Sequence, residues 1–178
     1  MYGLLILCVT FAYGVCKTAG PVGNIIINTF DKCQGETDSD DFQLEIELKT
    51  DKEDVKHVVA KLNNKIPIDD TITYKSNFEI WETSGWKPKF KHDGKFCEDV
   101  SKFGPRMWEK LQELVGGNFP AECPVEPGSY SVENFQAIST DFNVPTIFYG
   151  KLKGELRFYK DDVLLSCVSF DGNSQAPS

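Results

Sequence analysis

The chain has 178 residues, and its 27 Asp and Glu against 19 Lys and Arg leave a formal net charge of −8. That balance argues against nucleic acid as the main partner and against tight adsorption to anionic membranes. No apolar run approaches the roughly 20 residues of a membrane helix, and the length fits one domain with a sizeable core.

Leu4 to Ala12 is a short apolar run that ends in Ala12-Tyr13-Gly14. It predicts a secretory signal peptide over residues 1–14, with a second permissible cleavage point after Cys16. A single domain is expected over residues 17–170. Val22 to Phe30 is rich in β-branched residues and predicts a strand. Gly35 to Asp41 is acidic and is read as a solvated loop in preference to a calcium site. Phe42, Leu44, Ile46 and Leu48 alternate with Gln43, Glu45 and Glu47, the period of a half-buried strand. Val55 to Leu62 fits either period and is assigned as strand. Ile72, Tyr74, Phe78 and Ile80 alternate again, and Trp86 to Phe90 predicts a shorter extended piece.

From Glu98 to Val115 the period changes. Val100, Phe103, Met107, Leu111 and Leu114 recur at three and four residues, which is helical; Gly104-Pro105 interrupts the stretch and Gly116-Gly117 ends it. Cys123-Pro-Val-Glu-Pro-Gly-Ser-Tyr130 then forces a tight, extended corner. Leu152, Leu156 and Phe158 share one strand face, with Gly154 between them, and Lys153, Glu155 and Arg157 share the other. A turn at Lys160-Asp161-Asp162 leads to a last strand, Val163 to Phe170, and residues 171–178 are expected to be a disordered tail. The pattern predicts a mainly β fold: an antiparallel β-sandwich or β-cup with one short helical lid, stapled by disulfides.

Cys8 falls in the signal peptide, and Cys16 is either removed with it or left as an odd thiol. Cys33, Cys97, Cys123 and Cys167 allow three pairings. The preferred one joins Cys97 to Cys123 across the helix loop and Cys33 to Cys167, first strands to last. No Cys-x-x-Cys pair occurs, so zinc and thiol redox chemistry are poor readings, and neither metal nor cofactor is expected. The two histidines, His57 and His92, are read as surface residues. No nucleophile elbow, zinc-protease motif or phosphate loop appears, so no catalytic residue is assigned and the chain is read as non-enzymatic.

The Cys-Pro-x-x-x-Gly-x-Tyr corner (Cys123, Pro124, Gly128, Tyr130) carries a resemblance. So do the cysteine that opens a helix (Phe96-Cys97-Glu98-Asp99-Val100), Asn143-Val144-Pro145, the strand from Gly150 to Phe158, and Leu165-Ser166-Cys167. From about Asn24 to Phe170 the chain resembles the ganglioside activator-like and insect CheB-type secreted proteins of the lipid-recognition (ML-like) β-sandwich group. The resemblance supports the same two disulfides. It implies an apolar cup that holds a lipid or another long-chain hydrophobe, such as a pheromone-like hydrocarbon. The chain has no cysteines for the lysosomal activator's further disulfides and no Asn-x-Ser/Thr sequon, which favours the secreted branch over the lysosomal one.

The expected cup lining is Ile46, Leu48, Phe78, Ile80, Phe90, Phe103, Leu111, Phe135, Leu156 and Phe158. Ordinary core packing is the competing reading for each. Trp81, Trp86 and Trp108 are candidates for a mouth that touches a membrane, since indole favours interfaces. The leading functional expectation is a secreted binding or transfer protein. Beside it stand an activator that presents glycolipid to a lysosomal glycosidase, and a receptor-accessory domain with a filled core.

Overall fold

The computed structural model describes residues 19–117 and 119–177. The expected signal peptide, with Cys8 and Cys16, lies outside them. The strands of the first half are β1 Ala19–Gly20, β2 Ile25–Lys32, β3 Phe42–Thr50, β4 Lys56–Asn64, β5 Ile72–Glu82 and β6 Gly85–Lys95, with apolar alternation clearest in β3 and β5. The helical stretch forms α1 Phe96–Phe103 and α2 Pro105–Val115, and β7 Gly128–Phe135, β8 Ile147–Phe148, β9 Gly150–Lys160 and β10 Val163–Ser174 follow. A five-stranded sheet has the order β2-β10-β9-β5-β6, a three-stranded sheet the order β3-β4-β7, and β1 pairs with β8. Every pairing is antiparallel. The architecture is the expected mainly β sandwich with a short helical segment.

Among the described residues the two disulfides are Cys33–Cys167 and Cys97–Cys123, with Cα separations of 5.4 and 5.7 Å. Cys33 follows β2 and Cys167 lies in β10, so the first bridge reinforces two hydrogen-bonded neighbours. The second ties α1 to the Cys123 corner. Around it lies the core: Phe42, Ile68, Ile72, Cys97, Trp108, Val125 and Leu165, with Phe96, Phe119 and Phe158 packed against it.

The two sheets meet along one side, where β3 lies against β2 and β10. The acidic loop, expected to be solvated, contributes to that seam. Asp38 accepts hydrogen bonds from Lys32 Nζ, Ser166 Oγ and the Leu44 N–H, each at 2.7 Å, and the Ser39 N–H donates to the Leu165 carbonyl at 2.8 Å. A carboxylate that joins three strands is structural, which sequence reading missed. On the opposite side α1 contacts β5 and β6, and α2 contacts β7.

The interruption expected at Gly104-Pro105 divides the helical stretch in two, since Gly104 ends α1 and Pro105 opens a new first turn. Two further expectations are corrected. β6 runs five residues beyond Phe90, and its alternation is hidden by Lys87, Pro88, Lys89 and Lys91 on an edge strand. The tail expected to be disordered from Asp171 continues β10 to Ser174, paired with β9 on one side and β2 on the other. Asp171-Gly-Asn-Ser174 carries no hydrophobic alternation; its order comes from sitting between two strands. Gly172 is required there, since a Cβ would collide with the Ile26 carbonyl oxygen.

Gly154 has a similar role on β9. It lies opposite Phe170 and Phe78, whose rings meet edge to face 5.6 Å apart over the bare backbone. A Cβ there would stand 2.7 Å from Phe170 and 3.1 Å from Phe78. Gly154→Ala is therefore expected to destabilise the fold by about 1–3 kcal/mol through overpacking. Urea denaturation checks it, and an unchanged midpoint would refute it.

Candidate functional site

Side chains of a strand point alternately to the two faces, so register fixes which residues share a surface. In the three-stranded sheet Leu44, Leu62 and Tyr130 form one row; Ile46, Ala60 and Val132 the next; Leu48, Val58 and Phe135 the third. In the five-stranded sheet Tyr74 lies beside Phe158, Ser76 beside Leu156 and Phe78 beside Gly154, with His92 and Phe90 beside Ser76 and Phe78 on β6. Phe158 stacks on Phe42 of the other sheet at 6.0 Å, so both sets face the interior of the sandwich.

Burial is uneven along that interior. Next to the helices it is dry: Ile72 is 0 % and Phe42 4 % exposed. Further along, Ile46, Leu48, Phe78 and Leu156 are only half-buried, and Phe90 is 51 % exposed. Inward-facing apolar surface is thus left partly uncovered between the sheets.

The expected lining residues divide accordingly. Ile46, Leu48, Phe78, Phe90 and Leu156 belong to the uncovered part. Ile80 and Phe135 face inward but are buried, and Phe158 packs into the core against Phe42, Tyr74 and Phe96. Phe103 and Leu111 are half-buried on α1 and α2. Phe103 reaches the inner face, with its ring 6.1 Å from that of His92.

Of the three tryptophans expected at a mouth, Trp108 is buried instead. Trp108 is 6 % exposed, its indole N–H donates to the Pro120 carbonyl at 3.1 Å, and its ring lies 4.8 Å from Phe119. It is core, because α2 turns that side chain onto the Cys123 corner. Trp81 and Trp86 pack edge to face at 5.5 Å at the tip of the β5–β6 hairpin. They sit on the outer face with Lys153, whose Nζ lies 4.8 Å from the Trp86 ring. Trp81 faces outward by the alternation of β5, and Trp86 does so because the β5–β6 register shifts between Phe78 and Glu79.

Sequence reading also missed a polar group on the inner face. His92 Nε2 and Asp99 Oδ2 are 2.7 Å apart, with side chains 32 % and 12 % exposed. The Tyr74 ring lies 5.7 Å from His92. Burial and the adjacent Asp99 charge hold the Tyr74 phenol well above its ordinary pKa, so it stays neutral. The usable signal was parity: His92 is two residues from Phe90 and must share its face.

Two surface concavities lie elsewhere. One of about 280 Å³ is on the outer face of the large sheet, among Thr29, Asp31, Asn77, Glu79, Lys153 and Asp171. The other, about 340 Å³, lies beside α2, where Asp141 is 2 % exposed. Asp141 takes Lys110 Nζ at 2.6 Å and the Ile138 N–H at 2.8 Å, a clamp that holds residues 138–143 to the helices. Among the described residues no three His, Cys, Asp or Glu side chains are grouped to hold a metal ion, and no helix is long and apolar enough to cross a membrane. Two disulfides fit an extracellular compartment. No protein-family model matches the chain, and no curated protein matches it.

Proposed function

We propose that this chain is a secreted, non-enzymatic carrier of the ganglioside activator-like group, holding a lipid or other long-chain hydrophobe between its two sheets. The supporting observation is the inward-facing apolar surface of Ile46, Leu48, Phe78 and Leu156, half-buried in a sandwich whose core is otherwise dry at the helix end. Burial of an acyl chain contributes about 0.8 kcal/mol per CH₂, so a few methylenes give useful affinity without polar contacts. Trp81 is 49 % exposed beside Trp86 on the hairpin tip, flanked by Lys87 and Lys89, which suits brief contact with a lipid surface during pick-up.

Native mass spectrometry of the secreted protein, with organic extraction, tests the reading directly. A bound hydrophobe of defined mass is expected. Leu156→Asp is expected to weaken uptake of a fluorescent alkyl probe by about tenfold or more, because it places a charge on the apolar surface. Val163→Asp, at the exposed start of β10, leaves uptake unchanged. A clean apo mass together with no probe uptake overturns the carrier reading and leaves an interaction domain with a filled core.

A further inference from the structure

His92 and Asp99 are a deliberate pairing of two elements. His92 comes from β6 and Asp99 from the first turn of α1. Asp99 Oδ2 occupies the space that a Cβ on Gly94 would fill, and His92 Nε2 stands 2.8 Å from that position. Only glycine at 94 lets the helix lower a carboxylate onto the imidazole. The walls are aromatic: Phe90 stacks on His92 at 6.0 Å, with Tyr74 at 5.7 Å and the Phe103 edge at 6.1 Å.

This arrangement fixes the imidazole's chemistry. A carboxylate only accepts hydrogen bonds, so Nε2 carries the proton, and in the neutral ring Nδ1 is left as a bare acceptor. Among the described residues Nδ1 has no hydrogen-bond partner, and the side chain is 32 % exposed beside the uncovered Phe90. No Lys or Arg forms an ion pair with Asp99 among the described residues, and Lys102 Nζ lies 4.9 Å from the Phe103 ring. A carboxylate head group brings no proton to Nδ1, and a carbonyl or ether oxygen likewise meets a lone pair with a lone pair. A hydroxyl can donate.

We infer that His92, held by Asp99, seats the hydroxyl of a long-chain alcohol whose alkyl chain runs along Phe90, Phe78 and Leu156. This rests on the carrier reading and names the head group that the carrier selects.

Competition against a fluorescent alkyl probe at about pH 8 reads the site. Dodecanol is expected to compete about 3- to 10-fold better than dodecane or dodecyl methyl ether, the worth of one hydrogen bond. His92→Phe removes that preference. Asp99→Asn keeps the side-chain shape and frees the ring to carry its proton on Nδ1, so the gap between alcohol and ether narrows. If His92→Phe does not fold, Asp99→Asn decides. Equal competition by the three probes in the unaltered chain, or an unchanged gap in Asp99→Asn, overturns the inference and leaves the carrier standing. Failure of the alkyl probe itself to bind overturns both.

Discussion

Replacing Cys33 and Cys167 together by alanine is expected to cost about 5 kcal/mol of stability, and replacing Cys97 and Cys123 about 3.5 kcal/mol. The order follows from the loops closed in the unfolded chain, with sequence separations of 134 and 26. The longer loop loses more freedom when it is closed, so opening it returns more entropy to the unfolded state. Folded-state contacts alone would suggest the reverse. Cys33 and Cys167 are already neighbours through the β2–β10 ladder, including a 3.3 Å hydrogen bond from the Cys33 N–H to the Cys167 carbonyl. Urea unfolding of the two variants under non-oxidising conditions measures the difference. A helix-corner pair that costs as much as the strand pair would show native-state packing to dominate.

The second large effect is expected at Trp108. Trp108→Ala should destabilise by about 3–5 kcal/mol, the range for removing a large buried aromatic side chain. The indole lies against Phe119 and Phe96, next to the Cys97–Cys123 bridge, and leaves only 6 % of its surface to solvent. Trp108→Phe keeps most of the ring but strands the Pro120 carbonyl, for about 1–2 kcal/mol. Denaturation curves for both variants test this. A loss below about 0.5 kcal/mol for alanine would be the signature of a surface residue and would return Trp108 to the rim.

Much of the fold was legible because one face of most strands is wet. Phe42, Leu44, Ile46 and Leu48 announce β3 by alternation, and the structure pairs the last three with Leu62, Ala60 and Val58 as that alternation requires. Gly104-Pro105 announced the helix break in the same local terms. What stayed hidden depends on distant partners. Nothing in Asp171-Gly-Asn-Ser174 marks a strand; Ile25 and Gly150, more than a hundred and more than twenty residues away, hold Ser174 in place. The facing of Trp86 depends on a single bulge in the β5–β6 hairpin, and a slip of one residue moves a side chain to the opposite surface. Of the inner surface, Ile46, Phe78 and Leu156 could be found by parity alone. The His92–Asp99 pair could not, because it needs α1 to be lowered onto Gly94, a tertiary event with no periodic signature.

The eleven-residue strand β6 ends the large sheet, and among the described residues no strand pairs with its far side. Such an edge offers a row of unused backbone donors and acceptors as a template for another chain. Along it stand Lys87, Lys89, Lys91 and Lys95, with Pro88 unable to donate at all. If two molecules met edge to edge in the symmetric antiparallel way, each would bring its lysines against the other's, and repulsion would oppose the join. The same strand that leaves Phe90 exposed is thereby guarded against edge-to-edge polymerisation.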